Sequence, residues 1–272
     1  MIDGHTTVYG ILGRPVTHSL SPAMHNAAFR ELGINAVYVA FPVSDLAFAV
    51  AGLRGLAIKG ASVTIPFKEE IMPLLDEIDP AAARMGAVNT VVNREGRLVG
   101  YNTDWLGALT ALKARTAISG RHFLILGAGG AARAIAFGIR EAGGAITLTD
   151  VDGPRAAALA GELGATAMAP EAVGGCPATI LINATPVGLA PKVEEIPINP
   201  ELLERFSLVM DIVYRPLQTR LLKEAADRGA ATIDGLKMLL HQATAQFELW
   251  TGQAAPLEII AQAAYGSLSE EQ

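Results

Sequence analysis

Between residues 121 and 150 the chain carries a complete strand–turn–helix–strand unit, and no other feature limits its fold so sharply. The apolar run Arg121-His122-Phe123-Leu124-Ile125-Leu126 passes into Gly127-Ala128-Gly129-Gly130-Ala131-Ala132. A helical pattern follows over residues 131–142, and a second apolar run over 145–149 ends on Asp150. This is G-x-G-x-x-A in the context that a dinucleotide-binding βαβ unit requires. Gly127 allows the tight turn, Gly129 lets the backbone approach a pyrophosphate, and Ala132 allows helix and strand to pack closely. The helix N-terminus, with Ala128, Gly130 and Ala131 around it, holds the phosphate charge. Asp150 lies 23 residues after Gly127. A carboxylate there accepts hydrogen bonds from the ribose hydroxyls of NAD and repels the 2′-phosphate of NADP. Val151 and Asp152 follow, with no positive charge before Arg155. The expected cofactor is therefore NAD, with NADP disfavoured by Asp150 and Val151. The plainer readings are a glycine-rich turn in a parallel sheet and an aspartate that caps its own loop.

The rest of the chain continues the alternation. Strands are expected at residues 7–12, 37–41, 61–65, 179–183, 208–213 and 231–234. Helices are expected at 22–32, 46–53, 68–75, 104–115, 155–163, 219–228, 236–251 and 257–265, and 87–93 with 97–101 reads as a hairpin. Such alternation implies an α/β protein with βαβ units and parallel sheets. Composition agrees. The chain is 51% hydrophobic with a mean hydropathy of +0.34. Its most apolar window, residues 123–139, nevertheless contains Arg133 and four glycines. That falls short of the roughly 18–20 uninterrupted apolar residues of a spanning helix. Parallel strands covered on both faces explain hydrophobicity of this kind.

At 272 residues, two domains are expected. The seams fall near Asp104 and near Asp234-Gly235, giving one domain of residues 1–104 with 235–272 and another of 105–234. Residues 105–233 hold 12 Lys+Arg and 12 Asp+Glu, the rest holds 9 and 15, and no basic run occurs. Nucleic-acid binding is therefore not expected. The single cysteine, Cys176, excludes a disulfide framework. The N-terminus lacks the layout of a signal peptide, so a cytoplasmic location is expected. The 5 histidines do not cluster at ligand spacing, and no metal is expected. Small molecules are the expected partners, without nucleic acid or membrane; a homodimer is left open.

Several polar residues stand at strand ends in the first hundred residues. Lys68, in Thr64-Ile65-Pro66-Phe67-Lys68, is expected in the first turn of a helix. A cation is unfavourable there by a few tenths to ~1 kcal/mol, which invites a functional reason, although a lysine taken in isolation is more often a solvated surface residue. Asn102-Thr103-Asp104 precedes a helix, where Asn or Asp is ordinarily a cap; Lys68 and Asp104 together would make a lysine–aspartate pair at a cleft. Ser21 reads as an N-cap before Pro22. Ser19 and Ser21 together also suit a carboxylate. Asn89 lies inside an apolar strand and needs a hydrogen-bond partner, for which a structural one suffices.

Together these pieces resemble the shikimate dehydrogenase family nearly end to end. The resemblance is carried by His18-Ser-Leu-Ser-Pro22, Val63-Thr-Ile-Pro-Phe-Lys68, Gly86-Ala-Val-Asn-Thr90, Asn102-Thr-Asp104, Gly127-Ala-Gly-Gly-Ala131, Ile182-Asn-Ala-Thr185 and Asp234-Gly-Leu-Lys-Met-Leu-Leu-His-Gln242. It implies an N-terminal substrate-binding α/β domain, a Rossmann domain, and C-terminal helices returning to the first domain. It implies Lys68 and Asp104 as the catalytic pair and Ser19 and Ser21 on the substrate carboxylate. Thr64, Asn89, Asp104 and Gln242 would hold ring hydroxyls, with Tyr214 closing the pocket. Asn183, Thr185, Ile212, Gly235 and Met238 would surround the cofactor. The implied reaction is reversible hydride transfer between a nicotinamide and 3-dehydroshikimate. Two departures stand out. Asp150-Val151-Asp152 aligns where biosynthetic members carry Asn-Arg-Thr or Asn-Arg-Ser, which resembles the NAD-using quinate/shikimate branch, whereas Ser21 is the shikimate-type residue. Lys237 stands where many members have glycine, without an explanation. The competing readings are a quinate/shikimate dehydrogenase of catabolism, a catalytically silent metabolite-binding relative, and a methylene-tetrahydrofolate-type dehydrogenase.

Overall fold

A computed structural model describes residues 2–270. The chain divides into two compact units: residues up to Thr103 together with those from Leu240 onward, and residues from Asp104 to Leu239. No described helix is long and apolar enough to cross a membrane.

The first unit opens with β1 (Thr7–Gly13), α1 (Ser21–Glu31), β2 (Ala36–Pro42), α2 (Leu46–Gly55) and β3 (Gly60–Val63), followed by β4 (Glu77–Ile78), α3 (Pro80–Met85), β5 (Thr90–Arg94) and β6 (Arg97–Tyr101). Local chemistry sets the helix starts. Asp45 accepts from the Phe48 amide at the head of α2. Asp79 accepts from Ala81 and Ala82 at the head of α3, which has Pro80 in its first turn. The sheet order is β2-β1-β3-β5-β6-β4. It is mixed rather than parallel: β1, β2 and β3 run together, whereas β5 is antiparallel to both β3 and β6. The cause is the hairpin turn. Glu95 and Gly96 both have positive φ (56° and 93°), the requirement of a tight two-residue hairpin, whose strands must run in opposite directions. One face of the sheet carries Leu12, Val63, Val91 and Leu98 against Val50, Leu53 and Ala82.

The expected helix over 68–75 is absent. Residues 66–71 form successive turns, and only Met72–Leu74 makes a short 3-10 turn. Pro73 has no amide hydrogen, and its ring clashes with the carbonyl four residues back, so a helix begun at Lys68 cannot pass it.

The second unit contains α4 (Asp104–Lys113), β7 (His122–Leu126), α5 (Gly130–Glu141), β8 (Ala145–Thr149), α6 (Gly153–Leu163) and β9 (Thr166–Ala167). It continues with β10 (Ile180–Asn183), β11 (Leu208–Asp211), α7 (Arg220–Asp227), β12 (Ala231–Ile233) and the beginning of α8 (Gly235–Thr251). The last helix, α9 (Leu257–Glu270), belongs to the first unit. The order β12-β11-β10-β7-β8-β9 is all parallel. Numbered within the unit, it is the doubly wound 3-2-1-4-5-6 arrangement, whose strand order reverses between its first and fourth strands, here β7 and β10. Successive residues enter opposite cores. Phe123, Ile125, Ile180 and Ile182 pack with Ala132, Ile135 and Ala156, whereas Leu124, Leu126 and Leu181 pack with Leu221, Leu222 and Leu203. Burial on both faces is why these strands read as unbroken apolar runs.

Candidate active site

The polar residues of the first unit meet at one edge of its sheet. Strand register pairs Leu12 with Val63, Ser62 with Thr90, and Thr90 with Tyr101. The carboxyl ends of β1, β3 and β6 therefore lie beside the amino end of β5. Ser19 and Ser21 follow β1, Thr64 and Lys68 follow β3, Asn89 precedes β5, and Thr103 follows β6. Asp104, buried, is the next residue in the chain. Lys68 is half-buried, and its carbonyl accepts from the Val88 amide at 2.8 Å. With no helix at this point, the macrodipole argument for Lys68 does not apply.

Ser21 is not an N-cap. Leu20 occupies that position with no side-chain bond, and Ser21 is the first helical residue. Its amide donates to Ser19 Oγ at 3.2 Å, which brings the two serines together. The Tyr38 phenol donates to Ser62 Oγ at 2.6 Å. Burial pushes that phenol's pKa up, and the Ser62 and Ser21 hydroxyls draw it back.

Asn89 lies just before β5 rather than within it. Its Oδ1 accepts from the Thr103 amide at 2.7 Å and from Thr90 Oγ1 at 2.7 Å. Its Nδ2 donates to Gln242 Oε1 at 3.3 Å, across 153 residues of sequence. Behind it, Gln246 Nε2 donates to the Asn89 carbonyl at 3.2 Å and to Thr90 Oγ1 at 2.9 Å. Ser62 Oγ donates to Gln246 Oε1 at 2.8 Å. Sequence reasoning passed over Thr90, Thr103 and Gln246. The spacing of Gln246, one helical turn beyond Gln242 on α8, was the available signal.

The glycine turn of the second unit is built from backbone. Gly127 has φ +107°, and its amide donates to the Thr149 carbonyl at 2.7 Å. A Cβ there would lie 3.0 Å from the Ala184 carbonyl oxygen and 3.1 Å from Thr185 Cγ2. Gly129 stands at the N-cap of α5 without a side-chain cap, and the space beside Gly130 is open. Beside Gly129, the Arg155 guanidinium lies 3.7 Å from the point a Cβ would occupy. Ala132 is fully buried against the sheet, and Ala131 is half-buried. An open, uncapped helix N-terminus with this close approach suits a phosphate. Thr149 Oγ1, buried and without a partner among the described residues, is a further polar atom beside the turn. The residues fit a dinucleotide.

Asp150 is engaged by its own loop. Its Oδ2 accepts from the Ala128 amide at 2.7 Å and its Oδ1 from the Asp152 amide at 2.9 Å. Asp152 in turn caps α6 through the Arg155 amide, and Val151 is 98% exposed.

Beside the turn, Asn183 Oδ1 accepts from Thr185 N and Oγ1, and its Nδ2 donates to Asp211 Oδ1 at 2.9 Å. Asp211 also accepts from the Val213 amide and from Thr219 Oγ1. Burial pushes this carboxyl up to about 6, and the Thr219, Val213 and Asn183 donors pull it down. Neither Asp211 nor Thr219 was singled out from sequence, although a carboxylate ending the apolar run of β11 was a visible signal. The Ile212 amide donates to the Asn183 carbonyl, and a Cβ on Gly235 would collide with the Ile212 carbonyl. Met238 is a buried member of this unit's core, and Tyr214 is half-buried. Lys237 is exposed, with its amide on Asp234. No group of three or more His, Cys, Asp or Glu that could hold a metal occurs among the described residues.

Known proteins bear on both units. Residues 11–91 match the family model of the shikimate dehydrogenase substrate binding domain, and residues 235–265 that of the shikimate 5'-dehydrogenase C-terminal domain. A shikimate dehydrogenase (NADP(+)) of Pyrococcus furiosus is 44% identical over the whole of both chains. The chain belongs to the shikimate dehydrogenase family, a family of NAD(P)-dependent oxidoreductases. A second family member, the shikimate dehydrogenase (NADP(+)) of Moorella thermoacetica, is 47% identical over 95% of this chain and 92% of its own. A crystallised shikimate dehydrogenase in complex with NADP+ superposes with a TM-score of 0.94 at 41% identity, over 98% of each chain.

Proposed function

We infer that this protein catalyses reversible hydride transfer between a nicotinamide cofactor and the pair 3-dehydroshikimate and shikimate. The observation that carries this reading is the convergence of Ser19, Ser21, Thr64, Lys68 and Asn89 on one sheet edge, with Gln242 hydrogen-bonded to Asn89. In this reading Ser19 and Ser21 take the substrate carboxylate, and Thr64, Asn89, Asp104 and Gln242 take the ring hydroxyls. Tyr214 is a further substrate residue in this reading. Gly127, Ala128, Gly129, Gly130 and Ala131 hold the dinucleotide pyrophosphate, Asp150 its ribose, and Asn183, Thr185, Ile212, Gly235 and Met238 its remaining contacts. The bound nicotinamide supplies or accepts the hydride, and the protein's own residues handle the proton. In reduction Lys68 gives a proton to the oxygen of the ring ketone as its carbon gains the hydride; in oxidation it accepts the hydroxyl proton. Asp104 orients that hydroxyl and biases the lysine toward the transfer.

For the cofactor we propose a preference for NAD. Two carboxylates, Asp150 and Asp152, flank the ribose position, and the exposed Val151 offers no charge to a 2′-phosphate. A specific observation favours the opposite reading: the Arg155 guanidinium stands beside Gly129, and the two relatives described are named for NADP(+). The test is kcat/KM for NAD and for NADP with shikimate and with quinate as substrates. The expected result is faster turnover of shikimate, with NAD ahead of NADP. Equal efficiencies with the two cofactors overturn the preference, and faster quinate oxidation selects the quinate/shikimate alternative.

A further inference from the structure

The buried amides of the first unit have a direction, and two backbone groups set it. An amide N–H only donates, and a carbonyl only accepts. The Asn89 side-chain atom 2.7 Å from the Thr103 amide is therefore its oxygen, and the atom facing Gln242 is its nitrogen. Gln242 must then meet Asn89 with Oε1. Likewise, the Gln246 atom 3.2 Å from the Asn89 carbonyl is its nitrogen. That same nitrogen donates to Thr90 Oγ1, so the Thr90 hydrogen turns toward Asn89 Oδ1. At the far end Gln246 Oε1 accepts from Ser62, which accepts from the Tyr38 phenol at 2.6 Å. Asn89 Oδ1 thus faces one fixed donor, the Thr103 amide, and two hydroxyls, of Thr90 and Thr103, that turn their hydrogens toward it. Rotating its amide by half a turn would set an NH2 group against the Thr103 amide and force the Thr90 hydrogen to turn away. At the near end the Gln242 Nε2 has no partner among the described residues, and its residue is 7% exposed.

We propose that Thr90 and Gln246 are positioning residues that hold Asn89 and Gln242 to the direction the two backbone groups set, so that Gln242 meets its ligand with an N–H donor and selects a substrate bearing an acceptor oxygen there. The proposal rests on the substrate reading above. Thr90 and Gln246 act through Asn89 and need touch no substrate. Their identity is a matter of hydrogen placement rather than shape: valine nearly matches threonine in volume, but it cannot pass a hydrogen to Asn89.

The test compares wild type with Thr90→Val, Thr90→Ser and Gln246→Met, using shikimate and a set of analogues each lacking one ring hydroxyl. In wild type one deoxy analogue is expected to be penalised more than the others. In Thr90→Val the KM for shikimate rises about tenfold, that one penalty shrinks by a similar factor, and the cofactor KM stays unchanged. Thr90→Ser restores both. Gln246→Met gives the same pattern in weaker form and serves if the valine variant does not fold. A loss of thermal stability with the analogue pattern unchanged overturns the proposal. A second readout needs no substrate. Side-chain amide NMR of Asn89 and Gln242 should show one set of signals in wild type and two in Thr90→Val. A single unchanged set in both also overturns the proposal. Failure of wild type to turn over shikimate would instead break the substrate reading, and the NMR result would still decide the network.

Discussion

At the edge of the first sheet, the groups offered to a ligand are side chains, brought from chain segments as far apart as Ser19 and Gln242 and held by one another. At the glycine turn of the second unit the groups facing a phosphate would be backbone amides from a few consecutive residues, with Asp150 hydrogen-bonded to the turn and Asn183 and Asp211 to each other beside it. On the function proposed above, the first construction would recognise what side chains can distinguish, such as a carboxylate, a ring hydroxyl and a proton to be moved. The second would recognise charge and closeness, which any peptide backbone supplies once its residues are small enough. The two should therefore fail differently. Removing a side chain should disable chemistry in the first unit while sparing the fold. In the second, adding one should do the damage.

The largest expected effect breaks the first construction at its reacting group. Lys68→Ala should lower turnover about 100-fold or more with a smaller change in substrate KM, because a proton-transfer group acts mainly in the transition state. The half-buried Lys68 lies in a turn outside any helix, so the melting temperature should move little. Steady-state kinetics beside a thermal melt check both halves, and unchanged turnover removes Lys68 from the chemistry.

The next effect adds a methyl group to the second construction. Gly127→Ala forces an L side chain to φ +107° and sets its Cβ 3.0 Å from the Ala184 carbonyl. Strain of this kind costs about 1–3 kcal/mol. The variant should lose that stability in a denaturant titration and bind dinucleotide more weakly, with the shikimate KM much less affected. Equal weakening of both ligands would mean that the two constructions are not separable in this way.

The same contrast explains what could be read from sequence. The glycine turn was legible because each of its requirements falls on a backbone position within six residues, followed by an acid at the end of the next strand. The doubly wound sheet was legible because strands covered on both faces lose polar alternation. The first unit's edge was not legible from local pattern. Asn89 could be recognised as needing a partner, yet nothing near it in sequence announces Gln242, 153 residues away; only the family resemblance brought the two together. The helix expected at 68–75, just after Pro66, failed because Pro73 stands inside it. The parallel first sheet failed because the direction imposed by the Glu95-Gly96 hairpin on the neighbouring strands was not carried through. Asp211 was missed because it belongs to no binding pattern, and its role is to hold Asn183.

The smallest effect sharpens the comparison through two buried titratable groups, one in each unit. His25 is fully buried, stacked on Tyr38 at 4.6 Å and bordered by Trp250 at 5.1 Å. Burial holds its pKa down at about 3, against 6.5 for the free side chain. The unfolded chain therefore takes up this proton first. The histidine's contribution is complete above pH 6.5 and is lost as pH falls toward 3. Asp211 has the opposite sign. Burial raises it from 3.8 to about 6, so its contribution is complete below pH 3.8 and is lost as pH rises through 6. Each slope is at most about 1.4 kcal/mol per pH unit. Between pH 4 and 6 acid should weaken the first unit while favouring the second. The two tryptophans divide between the units, Trp250 near His25 and Trp105 against Phe137 at 5.7 Å. Trp105→Phe and Trp250→Phe variants each leave one reporter for a urea titration at pH 4, 5, 6 and 7. The Trp250 transition should move to lower urea on acidification, and the Trp105 transition should move the other way. His25→Phe keeps the ring packing and should flatten the first trend alone, and Asp211→Asn the second. Parallel movement of both reporters would show that neither buried group governs its own unit, because the expected trends differ in sign rather than in size.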